Sequence, residues 1–236
     1  MTKRVIVTGA SSGIGRQTAL ILAGHGMELV LIARRESALR EVAAECRERG
    51  AAAADLIALD LRDADSSAAA ISAGLTGAWS SLALVNVAGV AAFGSFPDMP
   101  LEVIEEQIEI NLVVPIRLCH RILPHMLAAG GGQIVNVLSI AATHPFPGAE
   151  AYCSSKAGLL AFSRSLAAGH RRQGLRVSCV LPGSVDSPLW EGKEWSPPPG
   201  DMLSAQAVAE TVAAIVMTPA DRNLDEIIVM PPKSIL

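Results

Sequence analysis

Tyr152 and Lys156 are the residues of this sequence best placed to move a proton. They lie four positions apart at the start of an expected helix, so both side chains project from one face. A phenol is a poor base at neutral pH, but a nearby ammonium favours the phenolate and lowers its pKa. The pair is then a proton donor and acceptor suited to interconverting a carbonyl and an alcohol. Ser139 follows the apolar run Ile134 to Leu138, which sets its hydroxyl at the carboxyl edge of the expected strand, ready to hydrogen-bond a reacting oxygen. Tyr-x-x-x-Lys pairs also recur by chance on solvated helix faces, so this one needs supporting residues. His144 is close in sequence, yet no G-x-S-x-G elbow surrounds Ser139, which argues against a Ser-His-Asp hydrolase. Cys153 has no base paired with it by sequence and reads as a small buried thiol.

The elements that must position these groups alternate along the chain. Seven short apolar runs read as strands: Arg4 to Thr8, Leu29 to Ala33, Leu56 to Leu59, Leu82 to Val85, Ile134 to Leu138, Val177 to Leu181 and Ile227 to Met230. Between them, helical patterns run from Gly13 to Gly24, Glu36 to Arg49, Ala64 to Ala78, Leu101 to Ala129, Ala151 to Gln173 and Ser204 to Met217. Strands separated by helices imply parallel crossovers. The expected fold is therefore α/β: a doubly wound, parallel, seven-stranded sheet of Rossmann type with helices on both faces, in one domain spanning residues 1–236. Pro115 falls inside the fourth helical pattern, where it removes a backbone donor. The carbonyl it orphans belongs to Asn111, so a kink and a water site near Asn111 are predicted.

The first strand runs directly into Thr8-Gly9-Ala10-Ser11-Ser12-Gly13-Ile14-Gly15 and then a helix. Glycines there let the backbone approach a pyrophosphate, and the first amides of the helix point at that anion with a favourable dipole. Such a turn alone is weak evidence; strand, turn and helix in this order raise its value. The second strand ends at Arg34 and Arg35, where a fold specific for NAD often carries an acidic residue. A guanidinium at Arg34 can pair with a 2′-phosphate and stack on adenine, so NADP(H) is expected over NAD(H). Asp60 and Leu61 close the third strand, and Asn86, Ala88 and Gly89 follow the fourth, at the edge where open α/β sheets bind ligands. Taken singly, Asp60 could equally cap a helix and Gly89 form a plain turn.

The net charge of -4 and the lack of a basic block argue against a nucleic-acid partner and for a small-molecule substrate. Residues 66–97 carry no charge, but Ser72, Gly74, Gly77, Ser80, Asn86 and Gly89 interrupt them, so they read as helix, turn and strand rather than a membrane span. Four scattered cysteines without CxxC spacing and a start with no signal-peptide pattern suggest a reducing, cytoplasmic setting and no metal site. Half the residues are hydrophobic but only 3 % are aromatic, so the core must be built from Ala, Val, Ile and Leu. Phe93, Phe96, Phe146, Trp190 and Trp195 nevertheless gather in segments that follow strands at the ligand-binding edge, which suggests an apolar substrate pocket. Residues 184–200, with four prolines and two tryptophans, are expected to be a mobile lid.

Jointly, the segment Thr8 to Gly15, Asp60, Asn86 to Gly89, Asn111, Ser139, Tyr152, Lys156 and Pro182-Gly183 make the sequence resemble the short-chain dehydrogenase/reductase family over essentially its whole length. That resemblance implies Tyr152 as general acid/base, Ser139 orienting the substrate, Lys156 on the nicotinamide ribose, and Asn111 holding a relay water. It further implies contacts of Arg34 with a 2′-phosphate, Asp60 with adenine, and Pro182, Gly183, Val185 and Ser187 with the nicotinamide. Two departures stand out: Val87 replaces a usual second asparagine, and Ser12 is not basic, so the cofactor preference rests largely on Arg34. The small residues Ala157, Gly158, Ala161, Ala167 and Ala168 on the Tyr152 helix suit close helix packing, internal or between subunits, and similar proteins are often homodimers or homotetramers. Two other readings share the fold: a catalytically silent nucleotide-sensing protein, and an epimerase-type enzyme.

Overall fold

The computed structural model describes residues 2–75, 79–192 and 196–233. The strands β1 (Lys3–Thr8), β2 (Glu28–Ala33), β3 (Ala53–Ala58), β4 (Ser81–Asn86), β5 (Gly132–Val137) and β6 (Leu175–Pro182), with the last, Glu226–Val229, form one sheet in the order β3-β2-β1-β4-β5-β6-last. Every pairing in it is parallel. The order reverses between β1 and β4, which opens a crevice at their carboxyl ends. Thr8, Asn86 and Asp60 all sit at or just beyond strand ends on that side.

Two layers of helix cover the sheet, and the alternation within each strand decides which layer a side chain joins. In β1, Val5 and Val7 pack with Leu20 and Leu22 of α1 (Gly13–Gly24), Leu39 and Val42 of α2 (Glu36–Glu48), and Val208, Val212 and Ile215 of the helix Ala205–Met217. Ile6, between them, faces the opposite layer, with Ile71 of α3 (Ala64–Gly74) and Leu118, Ile122 and Met126 of the helix Val114–Ala128. Both faces are dry, so the strands read as continuous apolar runs. The expected doubly wound sheet in a single domain is the fold observed.

Four local differences carry information. β3 starts at Ala53, three residues before the expected Leu56, because pairing with β2 overrides the helix preference of the alanines there. α3 ends at Gly74, and residues 76–78 of its expected extent lie outside the described residues. The single kinked helix expected from Leu101 to Ala129 is three pieces: α4 (Leu101–Ile108), a π turn (Glu109–Val113) and α5 (Val114–Ala128). In the π turn the Val114 amide bonds to the Glu109 carbonyl, five residues back. The helix thus adapts one turn before Pro115 by widening, a common local answer to a strained hydrogen-bond ladder. Finally, β7 (Val185–Asp186) and β8 (Leu203–Ser204) pair as a small parallel ladder that the sequence did not suggest. α6 (Glu150–His170), α7 (Ala205–Met217) and β9 (Glu226–Val229) complete the chain.

Candidate active site

Tyr152 and Lys156 lie in the first two turns of α6 and are buried, at 9 % and 5 % exposed. Ser139 lies close enough to the Tyr152 phenol to lower its pKa, and its hydroxyl accepts from the Ala141 amide at 3.1 Å. The Lys156 ammonium donates to the Val137 carbonyl at the end of β5 (3.2 Å) and lies 5.8 Å from the centre of the Tyr152 ring. Burial pushes the Tyr152 pKa up to about 12, against the lowering effect of Ser139. This corrects the expectation that Lys156 lowers it: in this arrangement desolvation of the phenolate wins. The same desolvation pushes Lys156 down to about 8.

Asn111 sits in the π turn and is 1 % exposed. Its side chain clamps the segment after β4, accepting from the Val90 amide (2.9 Å) and donating to the Val90 carbonyl (2.8 Å). It also donates to Ser155 (3.1 Å), whose hydroxyl donates to the Tyr152 carbonyl (2.7 Å). Gly89 completes the group, since a Cβ there would stand 3.1 Å from Asn111 Oδ1 and 3.6 Å from Lys156 Nζ. Asn111, Ser139, Tyr152 and Lys156 are therefore one connected cluster.

The glycine segment and its surroundings form a cradle. Gly9 has φ +66, and a Cβ on it would stand 2.9 Å from the Ala88 nitrogen. Ser12 caps α1 only by position: its side chain makes no capping hydrogen bond, and no acidic residue occupies the first turn. The first amides of α1 thus keep their pull on an anion. Ser11, Ser12, Gly13 and Ile14 are half-buried around that end, while Gly15 is buried beneath it. Gly13 faces Ser187, whose Cβ lies 3.6 Å from where a Cβ would be, so the stretch after β7 meets the glycine segment; Pro182 ends β6, and a Cβ on Gly183 would stand 2.7 Å from Pro231. Thr8 was read only as the head of the glycine segment. Its hydroxyl accepts from the amides of Val87 (3.0 Å) and Ala88 (3.2 Å) and ties the Asn86–Gly89 segment to β1. Asn86 itself points into the core, donating to Asn136 (2.8 Å), so its contribution is to hold strands together; Leu61 likewise packs inward.

At the far end, Arg34 and Arg35 are exposed, and among the described residues neither side chain has an ion pair or hydrogen bond. Asp60 is held down to about 2, chiefly by hydrogen bonds from Arg62 and in part by the charge of Arg34. Of the expected pocket aromatics, Phe93 stacks on Trp190 (centroids 5.5 Å, 23° between planes) and meets the Tyr152 ring edge-on (5.9 Å, 72°). Phe146 packs in the cluster of Ala91, Ala141, Ala149 and Tyr152. Phe96 is not brought in; it is 48 % exposed on a turn of its own. Trp195 lies outside the described residues. Among the described residues, no group of three or more His, Cys, Asp or Glu is placed to hold a metal ion, and no helix is long and apolar enough to cross a membrane.

Comparison with known proteins places this geometry among relatives. The short chain dehydrogenase family profile matches residues 3–196. A protein named short chain dehydrogenase from Pseudocercospora fijiensis is 37% identical over 189 residues, which are 79% of this chain and 61% of that protein. An alcohol dehydrogenase from Thermococcus sibiricus, solved with 5-hydroxy-NADP, superposes with a TM-score of 0.90 at 26% identity, covering 99% of this chain and 98% of that one. A metagenomic short-chain oxidoreductase solved with NADP gives a TM-score of 0.83 at 31% identity, covering 98% of each chain.

Proposed function

The chain belongs to the short-chain dehydrogenase family, and from that premise we propose that it is an NADP(H)-dependent oxidoreductase interconverting a carbonyl and an alcohol on a small apolar substrate. One observation carries the reading: Tyr152 is buried with its ring centre 5.8 Å from the Lys156 ammonium, and Ser139 lies close enough to lower its pKa. A phenol held up to about 12 is protonated at neutral pH, so Tyr152 donates its proton to a carbonyl oxygen that Ser139 also holds. Lys156, beside Asn111 and Gly89, faces the position of a nicotinamide ribose, and Asn111 keeps the Val90 backbone and α6 in register.

The cradle fits a dinucleotide. The uncapped start of α1 and the glycines that approach Ala88 suit a pyrophosphate, the cleft between Gly13 and Ser187 suits the nicotinamide half, and unpaired Arg34 beside Asp60 suits a 2′-phosphorylated adenosine. When bound, the nicotinamide supplies or accepts the hydride. Phe93 and Trp190 close the substrate end over Tyr152 with apolar surface, residues 184–200, of which 193–195 lie outside the described residues, act as its lid, and the exposed Ala157, Ala161 and Ala168 on α6 suit a homodimer or homotetramer. Gly158 does not share that role, because a Cβ on it would stand 2.9 Å from Leu112 within the same chain. The intact cluster favours turnover over mere nucleotide sensing.

The test is a screen of aldehydes, ketones and alcohols for nicotinamide absorbance change, with Tyr152→Phe alongside. Turnover in the unmodified protein and its loss in the variant is the expected result; equal rates in both refute the acid/base assignment. Tighter binding of NADH than NADPH to the unmodified protein refutes the role given to Arg34.

A further inference from the structure

Arg62 makes a contact that the nucleotide site does not by itself require. Its Nε approaches both Asp60 carboxylate oxygens (3.0 and 3.1 Å), its Nη2 donates to Oδ2 at 2.6 Å, and its own amide donates to Oδ1 at 3.0 Å. Its remaining nitrogen, Nη1, reaches Glu106 on α4 at 3.1 Å. The carboxylate is covered on both oxygens by one fork, and that fork is anchored from a second element. Arg34 is near enough for its charge to lower the Asp60 pKa, and it has no ion pair among the described residues.

We propose that Arg62 is a specificity-determining positioning residue: it masks the Asp60 carboxylate so that a 2′-phosphorylated nucleotide can settle on Arg34. The inference rests on the nucleotide site proposed above. A carboxylate at this edge serves adenine, but a ribose 2′-phosphate brings about two negative charges to the same corner. A bare carboxylate at Asp60 would repel such a phosphate if the two lay within about one Debye length (~8 Å). Paired with Arg62, it is close to neutral at that range. Ser12, which offers no charge, cannot supply the second cation, so the balance at this corner is set by Arg34, Asp60, Arg62 and Glu106. NADH, lacking the phosphate, is indifferent to whether Asp60 is masked.

The experiment is a fluorescence or calorimetric titration of NADPH and NADH, without substrate, into the unmodified protein and four variants. Arg62→Ala removes the mask; its site is exposed, so the fold is retained, which a thermal melt confirms. NADPH is expected to bind about three- to tenfold more weakly, from an added repulsion at partly screened distance, while NADH changes by less than about twofold. Asp60→Asn in the Arg62→Ala background removes the unmasked charge, and the NADPH-to-NADH ratio is expected to return to that of the single variant Asp60→Asn. Glu106→Gln leaves the Asp60 contacts in place and removes one negative charge from the same corner, so the NADPH-to-NADH ratio is expected to rise. Equal losses of both nucleotides in Arg62→Ala, or no recovery of the ratio in the double variant, overturns the proposal and leaves the nucleotide site standing. If neither nucleotide binds the unmodified protein, the site itself is wrong and the proposal falls with it.

Discussion

Thr8→Val tests whether the cradle is held by a hydroxyl rather than by shape. Thr8 is 1 % exposed, and its oxygen accepts from two amides, Val87 at 3.0 Å and Ala88 at 3.2 Å. Valine keeps the outline but leaves both amides without that acceptor, and an unpaired buried N–H costs about 1–3 kcal/mol. These amides are only half-buried, so the lower half of that range, about 1–2 kcal/mol, applies to each, and the sum is about 2–4 kcal/mol. That is a large share of a typical total of about 5–15 kcal/mol, and for this length it lowers Tm by very roughly 5–15 °C. Urea denaturation measures it directly, provided the m-value is unchanged. Nucleotide affinity falls as well, because the freed Asn86–Gly89 segment no longer holds its place against Gly9. Thr8→Ser, which keeps the oxygen and loses one methyl, should cost only about 1 kcal/mol. A Thr8→Val protein within about 0.5 kcal/mol of the original, or a serine variant as unstable as the valine one, would refute the argument.

Lys156→Met should reduce turnover by about 100-fold or more, yet leave the protein at least as resistant to urea at pH 7, because the lysine is a desolvated cation whose pKa burial pushes down to about 8. Marked destabilisation would show that its bond to Val137 matters more than its burial. Stability should also depend on pH in the alkaline range. Lys3 and Lys156 both fall to about 8 in the folded chain from 10.5, so above pH 8 the unfolded chain holds more protons and stability rises with pH. Buried Cys46, Cys119 and Cys179 are raised to about 11, 12 and 11 from 9.0, so above pH 9 the unfolded chain loses protons first and the trend reverses. A urea midpoint that declines steadily from pH 7 to 9 contradicts this. Trp190→Ala removes the stack on Phe93 and should lower kcat/KM for bulky apolar ketones by about tenfold, by loss of buried apolar contact, while changing the value for the smallest ones little. An equal loss for both would show that Trp190 supports the loop and not the substrate.

The seven strands and their order of appearance were legible because strands buried on both faces need unbroken apolar runs, and the helices between them show their own period. α1 was read to the residue, since Gly13 and Gly24 bracket it. β3 was placed late because pairing, not composition, makes a strand of Ala53–Leu56. The site's charged and hydroxyl side chains were legible from type and spacing, and what they touch was not. Nothing in the sequence marks Thr8 as an acceptor for two amides, Ser155 as the link from Asn111 to the Tyr152 carbonyl, or Asn136 as the partner of Asn86. These are contacts between residues far apart in the chain, and only the folded register brings them together. Pro115 signals a broken ladder, but not whether the helix bends or widens. Spacing reveals the charge that neighbours Tyr152 and is silent on the burial that raises its pKa.

The pairing of Val185 with Leu203 and Asp186 with Ser204 has a consequence for how this protein could change. Both roots of the intervening excursion are fastened to each other rather than to the main sheet, so its length is uncoupled from the register of β6 and of α7. Adding residues to such a tethered stretch costs only slowly growing closure entropy, about 0.6 kcal/mol per doubling. The stretch between β7 and β8 is thus an exchangeable cassette, open to insertion, deletion or transplantation, while Tyr152 and Lys156 on α6 and Ser139 after β5 stay where they are.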